Sequence, residues 1–377
     1  MRAHYEAMVR GIEARVDRAL RAQNLEESSP FYGAFAQTDG VYQAKSTMYA
    51  VASMATAYCN RDTRYYHDGA LLDRAALGFD FVDRVQHENG LFDYVTCNFY
   101  SAPDTAFCIL AWVPHLQYLM GREDLTEGEA LIKARMEKVV RAGGRGLLEG
   151  GFHTPNHRWA IASLLACCGK MFGEEDLTRA AWAYLNEGMD CNADGEYAEK
   201  SAGNYNQVNN DAMLLLSRSL GDPSYEENAL RNLKMMLTYW EPDDSVFTAN
   251  STRFDKDRLV YPGQYYWEYL DLGIRRQVPE FLSMANHIME IYREKNLDAP
   301  DFLMEYMLYP SYVDYEWDQS GTPAVYRAFY RDSGIARVRR GGWTYTVMQG
   351  KSNFLYVHNG SIKLAVKIGG SFCEHRA

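Results

Sequence analysis

Two short stretches carry the residues able to do chemistry. In "GGFHTPNHRWAIASLLACCGK" (150–170), glycines and a proline lead into Asn156, His157 and Arg158, and a strongly apolar helical run follows. Thr154 or Asn156 is a candidate helix cap, and Pro155 suits the entry turn. Amides exposed at such a start favour an anion. Asn156 can donate through its amide and Arg158 through its guanidinium fork. His157 can take or give a proton near neutral pH. The same residues also suit a plainer arrangement: a cap, a ring bonded to a loop carbonyl, and an arginine facing water.

The second stretch is "NADGEYAEKSAGNYNQVNND" (192–211), a polar, glycine-bearing loop ahead of another apolar helix. It holds Asp194, Glu196, Tyr197, Glu199 and Tyr205. A loop of this length is functional or disordered, and the two tyrosines and three carboxylates just named favour function over disorder; an ordinary polar crossing loop is the alternative. Tyr205 follows His157 by 48 residues, about one helical hairpin plus a loop. In a ring of hairpins that step brings neighbouring loops together, so His157 and Tyr205 are expected to face one another across a pocket. A free tyrosine titrates near pH 10, roughly, so Tyr205 needs nearby positive charge to serve as a base. Asp104, Asp194, Glu196 and Glu199 are the carboxylates available for hydrolytic acid/base work. In "NGLFDYVTCNFYSAPDTAF" (89–107), Tyr94, Phe99 and Tyr100 suit stacking on pyranose faces, or burial. Tyr261 opens a similar aromatic rim, "YPGQYYWEYL" (261–270). His287, in an apolar helix, reads as a core or interface histidine.

These stretches have to be positioned by helices. To about residue 310, apolar residues recur at spacings of three and four, with turn signals between them. The pattern predicts helices over 2–23, 42–60, 69–87, 103–120, 125–142, 157–171, 175–189, 206–219, 223–240, 261–274, 277–295 and 299–308. Short and long connections alternate, as in stacked helix pairs, although no fixed-period repeat is visible. Six pairs closing as a double ring is the simplest use of twelve helices, with the long loops gathered on one face. Near residue 330 the text turns to Val, Ile, Tyr, Phe and Thr with glycine turns, which predicts three or four antiparallel strands. So few strands need a partner face. The sheet is expected to be incomplete at "CEHRA", and the chain a fragment of a longer protein.

Composition narrows the classes. The chain has 377 residues, a formal net charge of −11 and no Lys/Arg-rich run, which argues against nucleic acid as a partner. An anionic ligand needs local cations to overcome the long-range repulsion. Aromatics reach 14%, with 28 tyrosines, as suits a sugar-stacking surface or an aromatic core. The seven cysteines form no CxxC pair and read as free thiols, which gives no cysteine zinc site. No run is long enough to span a membrane, and the amphipathic N-terminus lacks a signal core. The expectation is a cytoplasmic protein.

The pair "PNHRW" and "DGEYAEKSAGNYN" resembles the two catalytic segments of polysaccharide lyases of the heparinase II/III-like and alginate-lyase type. There an Asn-His or similar pair opens one helix, and a tyrosine follows some fifty residues later in a loop that begins Asp-Gly. The resemblance implies an (α/α) toroid of helical hairpins over 1–325 as the catalytic domain, and the beginning of an antiparallel β-sandwich over 326–377. It implies β-elimination across a 4-linked uronic acid, with Asn156, His157 and Tyr205 catalytic. Asn156 would hydrogen-bond the substrate carboxylate, helped by Arg158. Tyr205 and His157 would divide the roles of acid and base, in an order set by the C5 stereochemistry. Arg158, Glu199, Tyr197, Tyr94, Tyr100 and Tyr261 are the expected substrate contacts. His358, Tyr345 and Tyr356 are available from the sheet. No cofactor is implied; some members of the family carry a structural metal in the sandwich, but the sequence offers no complete ligand set and no metal ligand is assigned. The expected partner is an anionic oligosaccharide or polysaccharide, and a homodimer is left open. The competing readings are a glycoside hydrolase on the same helical ring, such as an unsaturated glucuronyl hydrolase, and a non-catalytic sugar-binding protein.

Overall fold

The computed structural model describes residues 1–317, 321 and 325–369. The chain forms two compact units, and each takes more than one stretch of sequence. The first comprises Met1–Gly188, Leu215–Asp222 and Lys295–Trp317. The second comprises Met189–Leu214, Pro223–Glu294 and Asp318–Ala377. This division differs from the boundary expected after residue 325, because the late strands belong with the helices of 223–294. Residues 370–377, assigned above to the β-sandwich, lie outside the described residues.

The first unit is built from α1 (Arg2–Ala22), α2 (Ala44–Cys59), α3 (Gly69–Val85), α4 (Ala102–Leu110), α5 (Val113–Met120), α6 (Glu127–Gly146), α7 (Pro155–Phe172) and α8 (Glu175–Leu185). α2 pairs with α3, α5 with α6 and α7 with α8. Local chemistry sets the ends. Asp68 accepts from the amides of Ala70 and Leu71 to start α3. Thr126 and Glu129 form a reciprocal capping box on α6. α7 has Pro155 at its first turn and stops at Gly173, which takes a left-handed φ of 68°. The single helix expected over 103–120 is two. Pro114 has no N–H to donate, so it falls in the first turn of α5 rather than inside a longer helix. A two-stranded hairpin, β1 (Phe92–Tyr94) and β2 (Asn98–Ser101), occupies the loop expected there. α1 packs on α13 (Leu303–Leu308), and Arg2, Arg15 and Arg18 pair with Asp314, Asp301 and Asp298.

The second unit holds the start of α9 (Tyr205–Leu220), α10 (Glu226–Met236), α11 (Tyr266–Arg275), α12 (Pro279–Glu294) and a five-stranded antiparallel meander. Its strands are β3 (Tyr326–Tyr330), β4 (Ile335–Arg340), β5 (Trp343–Met348), β6 (Asn353–His358) and β7 (Lys363–Lys367). That is one or two more strands than expected. β5 alternates, but with its threonines inward: Thr344 and Thr346 are buried, with Met348, while Trp343, Tyr345 and Val347 are exposed.

The inward threonines meet a buried charge. Arg337 of β4 has no solvent exposure. Its Nε donates to the Thr238 carbonyl at 2.7 Å, Nη1 to Thr346 Oγ1 at 2.8 Å and Nη2 to Glu241 Oε1 at 3.1 Å. The guanidinium also lies 4.2 Å from the centre of the Phe247 ring. Burial by itself would push the Glu241 carboxyl up. The Arg337 charge, with hydrogen bonds from His358, Thr344 and Arg337, outweighs burial and holds it at about 2.

One turn recurs four times. In each, the amide of the first residue donates to the carbonyl four residues on, and the amide of the fourth residue donates back to the carbonyl of the first. The residue pairs are Gln37 with Val41 and Gly40, His87 with Leu91 and Gly90, Asn192 with Glu196 and Gly195, and Glu241 with Ser245 and Asp244. The fourth position is left-handed each time: Gly40, Gly90, Gly195 and Asp244. Glycine adopts that region without a Cβ penalty. This turn is an internal repeat that the sequence reading missed.

Two outcomes follow from these geometries. A Cβ on Gly40 would meet nothing within 4 Å, whereas one on Gly90 would lie 2.0 Å from the Ala142 carbonyl oxygen. Urea denaturation should therefore find Gly40→Ala costing about 1–2 kcal/mol, the left-handed backbone term alone, and Gly90→Ala roughly 3 kcal/mol or more. Because Glu241 is depressed in the folded state, its contribution is fully present above its ordinary value of 4.5 and is lost as pH falls through about 2. Glu241→Gln should flatten the stability curve across that acid window when unfolding is followed from pH 6 to pH 2.

Candidate active site

In the first unit the candidate residues lie at the start of α7. Thr154, extended at φ −141°, sends its hydroxyl to Asn156 Oδ1 at 2.6 Å. Asn156 is completely buried at the second helical position. His157 is half-buried, with its ring edge-on to Phe107 at 5.7 Å, and Lys45 lies 5.2 Å over the same phenyl ring. Arg158 differs from expectation. It pairs with Glu187 at 3.2 Å, donates to the Gly188 carbonyl at 2.8 Å and stacks 4.0 Å over Trp159. Its fork joins the start of α7 to the end of α8, so it is a structural tie before it is a substrate contact.

The β1–β2 hairpin carries three of the aromatics named above. Phe99 and Tyr100 are 67% and 57% exposed, and Tyr94 is half-buried. Tyr100 stacks on His87 at 4.0 Å, and its amide donates to Asp93 Oδ1, which also meets His87 Nε2 at 2.8 Å. The tip is thus a supported aromatic platform.

In the second unit the candidate residues lie in the loop before α9. Asp255 fixes it from below, accepting from Ser201 Oγ at 2.8 Å, the Gly203 amide at 2.9 Å and Ser251 Oγ at 2.6 Å. Ser201 Oγ in turn accepts from the amide of Tyr205, the first residue of α9. The Tyr205 ring is half-buried and edge-on to the exposed Phe254 at 5.9 Å. Burial, then the negative charge of Glu199, pushes its phenol above the ordinary range, while Arg253 pulls the other way. At neutral pH Tyr205 therefore rests as a protonated phenol.

Two expected substrate contacts are corrected here. Tyr197 has no exposed surface, and its hydroxyl donates to Asn210 Oδ1 at 2.9 Å. Asn210 then donates to Asn232 and to the fully buried Glu268, whose carboxyl burial pushes well up. Tyr197 therefore belongs to a buried polar network. Glu199 is 1% exposed; it binds Arg253 Nε at 3.0 Å, and its carbonyl accepts from Thr252. It orients the arginine instead of meeting a sugar. Tyr261 is half-buried, just ahead of the short 3-10 turn that leads into α11.

The sequence reading missed Lys200, Arg253, Phe254 and Asp255. Lys200 takes a left-handed φ of 52° and pairs with Glu196 at 3.2 Å. Glu196 is buried, accepts from Asn250 and has its carboxyl raised by burial. The signal was the charged text "TRFDKD" (252–257), which is uninformative until its loop is seen against residues 196–205. Among the described residues no cluster of His, Cys, Asp or Glu could hold a metal ion.

No family model matches the sequence, and no curated protein matches it. Solved structures do. The chain superposes on a Streptomyces coelicolor chondroitin AC lyase in complex with chondroitin sulphate, with a TM-score of 0.58 at 15% identity, over 93% of this chain and 50% of that one. A Paenibacillus xanthan lyase gives 0.56 at 12% identity, over 95% and 38%. Heparinase III gives 0.54 at 14%, over 93% and 57%. The fold is theirs. It is the (α/α) toroid with an antiparallel sheet that the sequence implied. The chain spans between 38% and 57% of the length of these three lyases.

The charges around Tyr205 make a direct prediction. Glu199→Gln removes a charge that raises the phenol, and Arg253→Met removes one that lowers it. With a carbon-13 label on the tyrosine rings, and Tyr205→Phe to assign the resonance, the titration midpoint should move down in the first variant and up in the second.

Proposed function

We propose that this chain is a polysaccharide lyase that cleaves uronic-acid-containing glycans by β-elimination. The observation that carries the reading is the shared fold with three polysaccharide lyases, in a chain that has an Asn-His pair opening one helix and a tyrosine opening another.

The chemistry assigns each group one task. The C5 proton of a uronate is too weakly acidic while the adjacent carboxylate keeps its full charge, so the site must hydrogen-bond that carboxylate as the enediolate forms. Asn156 is the proposed donor. A base then removes the C5 proton, the C4–O4 bond breaks with its electron pair going to O4, and an acid protonates O4. The protonated phenol of Tyr205 suits the acid, which leaves His157 as the base. The product carries a C4–C5 double bond conjugated to the carboxylate.

Hydrolysis has one observation in its favour. The raised carboxyl of Glu196 has the property a glycosidic general acid needs. Its burial beside Lys200 and Asn250 counts against access to a leaving oxygen.

Ultraviolet absorbance on mixing with a panel of uronate oligosaccharides separates the two. Elimination creates an absorbing product, and hydrolysis creates reducing ends without one. The expected result is a rise that falls by about 10²–10⁴ in Tyr205→Phe and in His157→Ala, with both variants folded by circular dichroism. Reducing ends without the absorbance, lost in Glu196→Gln, would replace the lyase with a hydrolase.

A further inference from the structure

Three segments of the second unit converge beside Tyr205, and each brings a lysine. The loop 250–258 lies on the loop 196–205, through Arg253 Nε to Glu199 Oε1 at 3.0 Å and Thr252 Oγ1 to the Glu199 carbonyl at 2.9 Å. The sheet reaches the same place through β6. Asn353 Nδ2 donates to the Tyr356 hydroxyl at 2.7 Å, and that hydroxyl lies 3.5 Å from Asp257 Oδ1. This contact brings the β5–β6 turn, which carries Lys351, alongside Lys256. Lys200 completes the group from the first loop.

The grouping runs against the chain's overall charge of −11. Glu196 answers Lys200 at 3.2 Å but also accepts from Asn250. Lys351 is half-buried, and its ammonium is held below the usual lysine range by burial, then by Lys200 and Lys256, with Glu196 opposing. An ammonium held down by burial and neighbouring positive charge in this way is relieved by an anion set beside it. The sheet thus supplies a cation to the neighbourhood of the tyrosine, where the sequence offered only His358, Tyr345 and Tyr356. Of these, His358 is buried against Glu241 and Tyr356 braces the turn.

We propose that Lys200, Lys256 and Lys351 form a site for an oxyanion of the glycan, a carboxylate or a sulfate ester, in the same loop cluster as Tyr205. The identity of the ligand rests on the reading above; the anion site does not. With Arg158 engaged by Glu187, these lysines supply the positive charge an acidic substrate needs in an acidic protein.

The test reads binding apart from turnover. Competitive labelling with acetic anhydride, read by mass spectrometry, should find Lys351 modified several-fold faster than exposed lysines such as Lys138, with inorganic sulfate protecting it. Sodium sulfate, against sodium chloride at matched ionic strength, should raise the unfolding temperature of the wild-type chain. Lys351→Gln should lose that rise while the ion-free protein stays as stable or becomes more so. Where absorbance shows turnover, Lys351→Gln should raise KM at least tenfold, with kcat changed less. Sulfated and unsulfated uronate oligosaccharides then tell which oxyanion is held. Lys351 labelling no faster than exposed lysines, or an equal sulfate response in wild type and variant, overturns the site. A normal sulfate response with no absorbance rise on any glycan sinks the lyase and leaves the anion site standing.

Discussion

The second unit is organised around one buried cation. Arg337 has given up all its water, so every donor it has must find an acceptor, and the charge must find an opposite one. The Thr238 carbonyl, Thr346, Glu241 and the Phe247 ring provide these from two different parts of the chain. Together they fix where β4 and β5 sit relative to the loop after α10. They also explain why β5 turns threonines inward and aromatics outward, since the inner face has to satisfy a charge. A pair of this kind is weak evidence of stability compared with apolar packing, but removing one partner strands the other. Its effect here is to specify position.

That position reaches the tyrosine by two routes. In three of the four recurring turns, the Asp or Asn at the third position caps its own turn: Asp39, Asn89 and Asp243 accept from Val41, Leu91 and Ser245. In the fourth, Asn192 takes over that role, and Asp194 accepts instead from the Ser333 amide in the β3–β4 turn. The loop of Tyr205 is thereby tied to the sheet at one end and clamped by Asp255 at the other. The start of α7 relies on a different device, a largely buried and mostly apolar helix whose first turn carries polar groups. One half of the proposed chemistry is held by packing, the other by hydrogen bonds in a loop.

The helices were legible because apolar spacing reports them directly, and α7 and α9 start within two residues of their expected positions. What failed to show was chemistry set by distant partners. The four turns share only a few residues of text, one of them replaces glycine with Asp244, and they recur about fifty residues apart with one step missing; helical periodicity is blind to that. Pro114 was visible, but its power to divide 103–120 was passed over. Tyr197 and Glu199 looked accessible because polar loop text reads as surface. Only the structure reveals Asn210 and Arg253 beneath them. Asn156 and His157 could be selected from their place at a helix start, whereas Lys351 could not, since nothing in "GKSN" tells which loop it will meet.

The order of the chain also bears on how the molecule is made. α1 is held by carboxylates of 298–314, and Glu241 waits for Arg337 and His358. At roughly 5–20 residues per second, α1 leaves the ribosome on the order of tens of seconds before its partners exist, and Glu241 several seconds before its own. The first unit lacks its last segment, 295–317, and the second its strands, until late in synthesis. A chain whose helices each form in microseconds therefore closes late, and its unpaired apolar surfaces are exposed to protein quality control for most of translation.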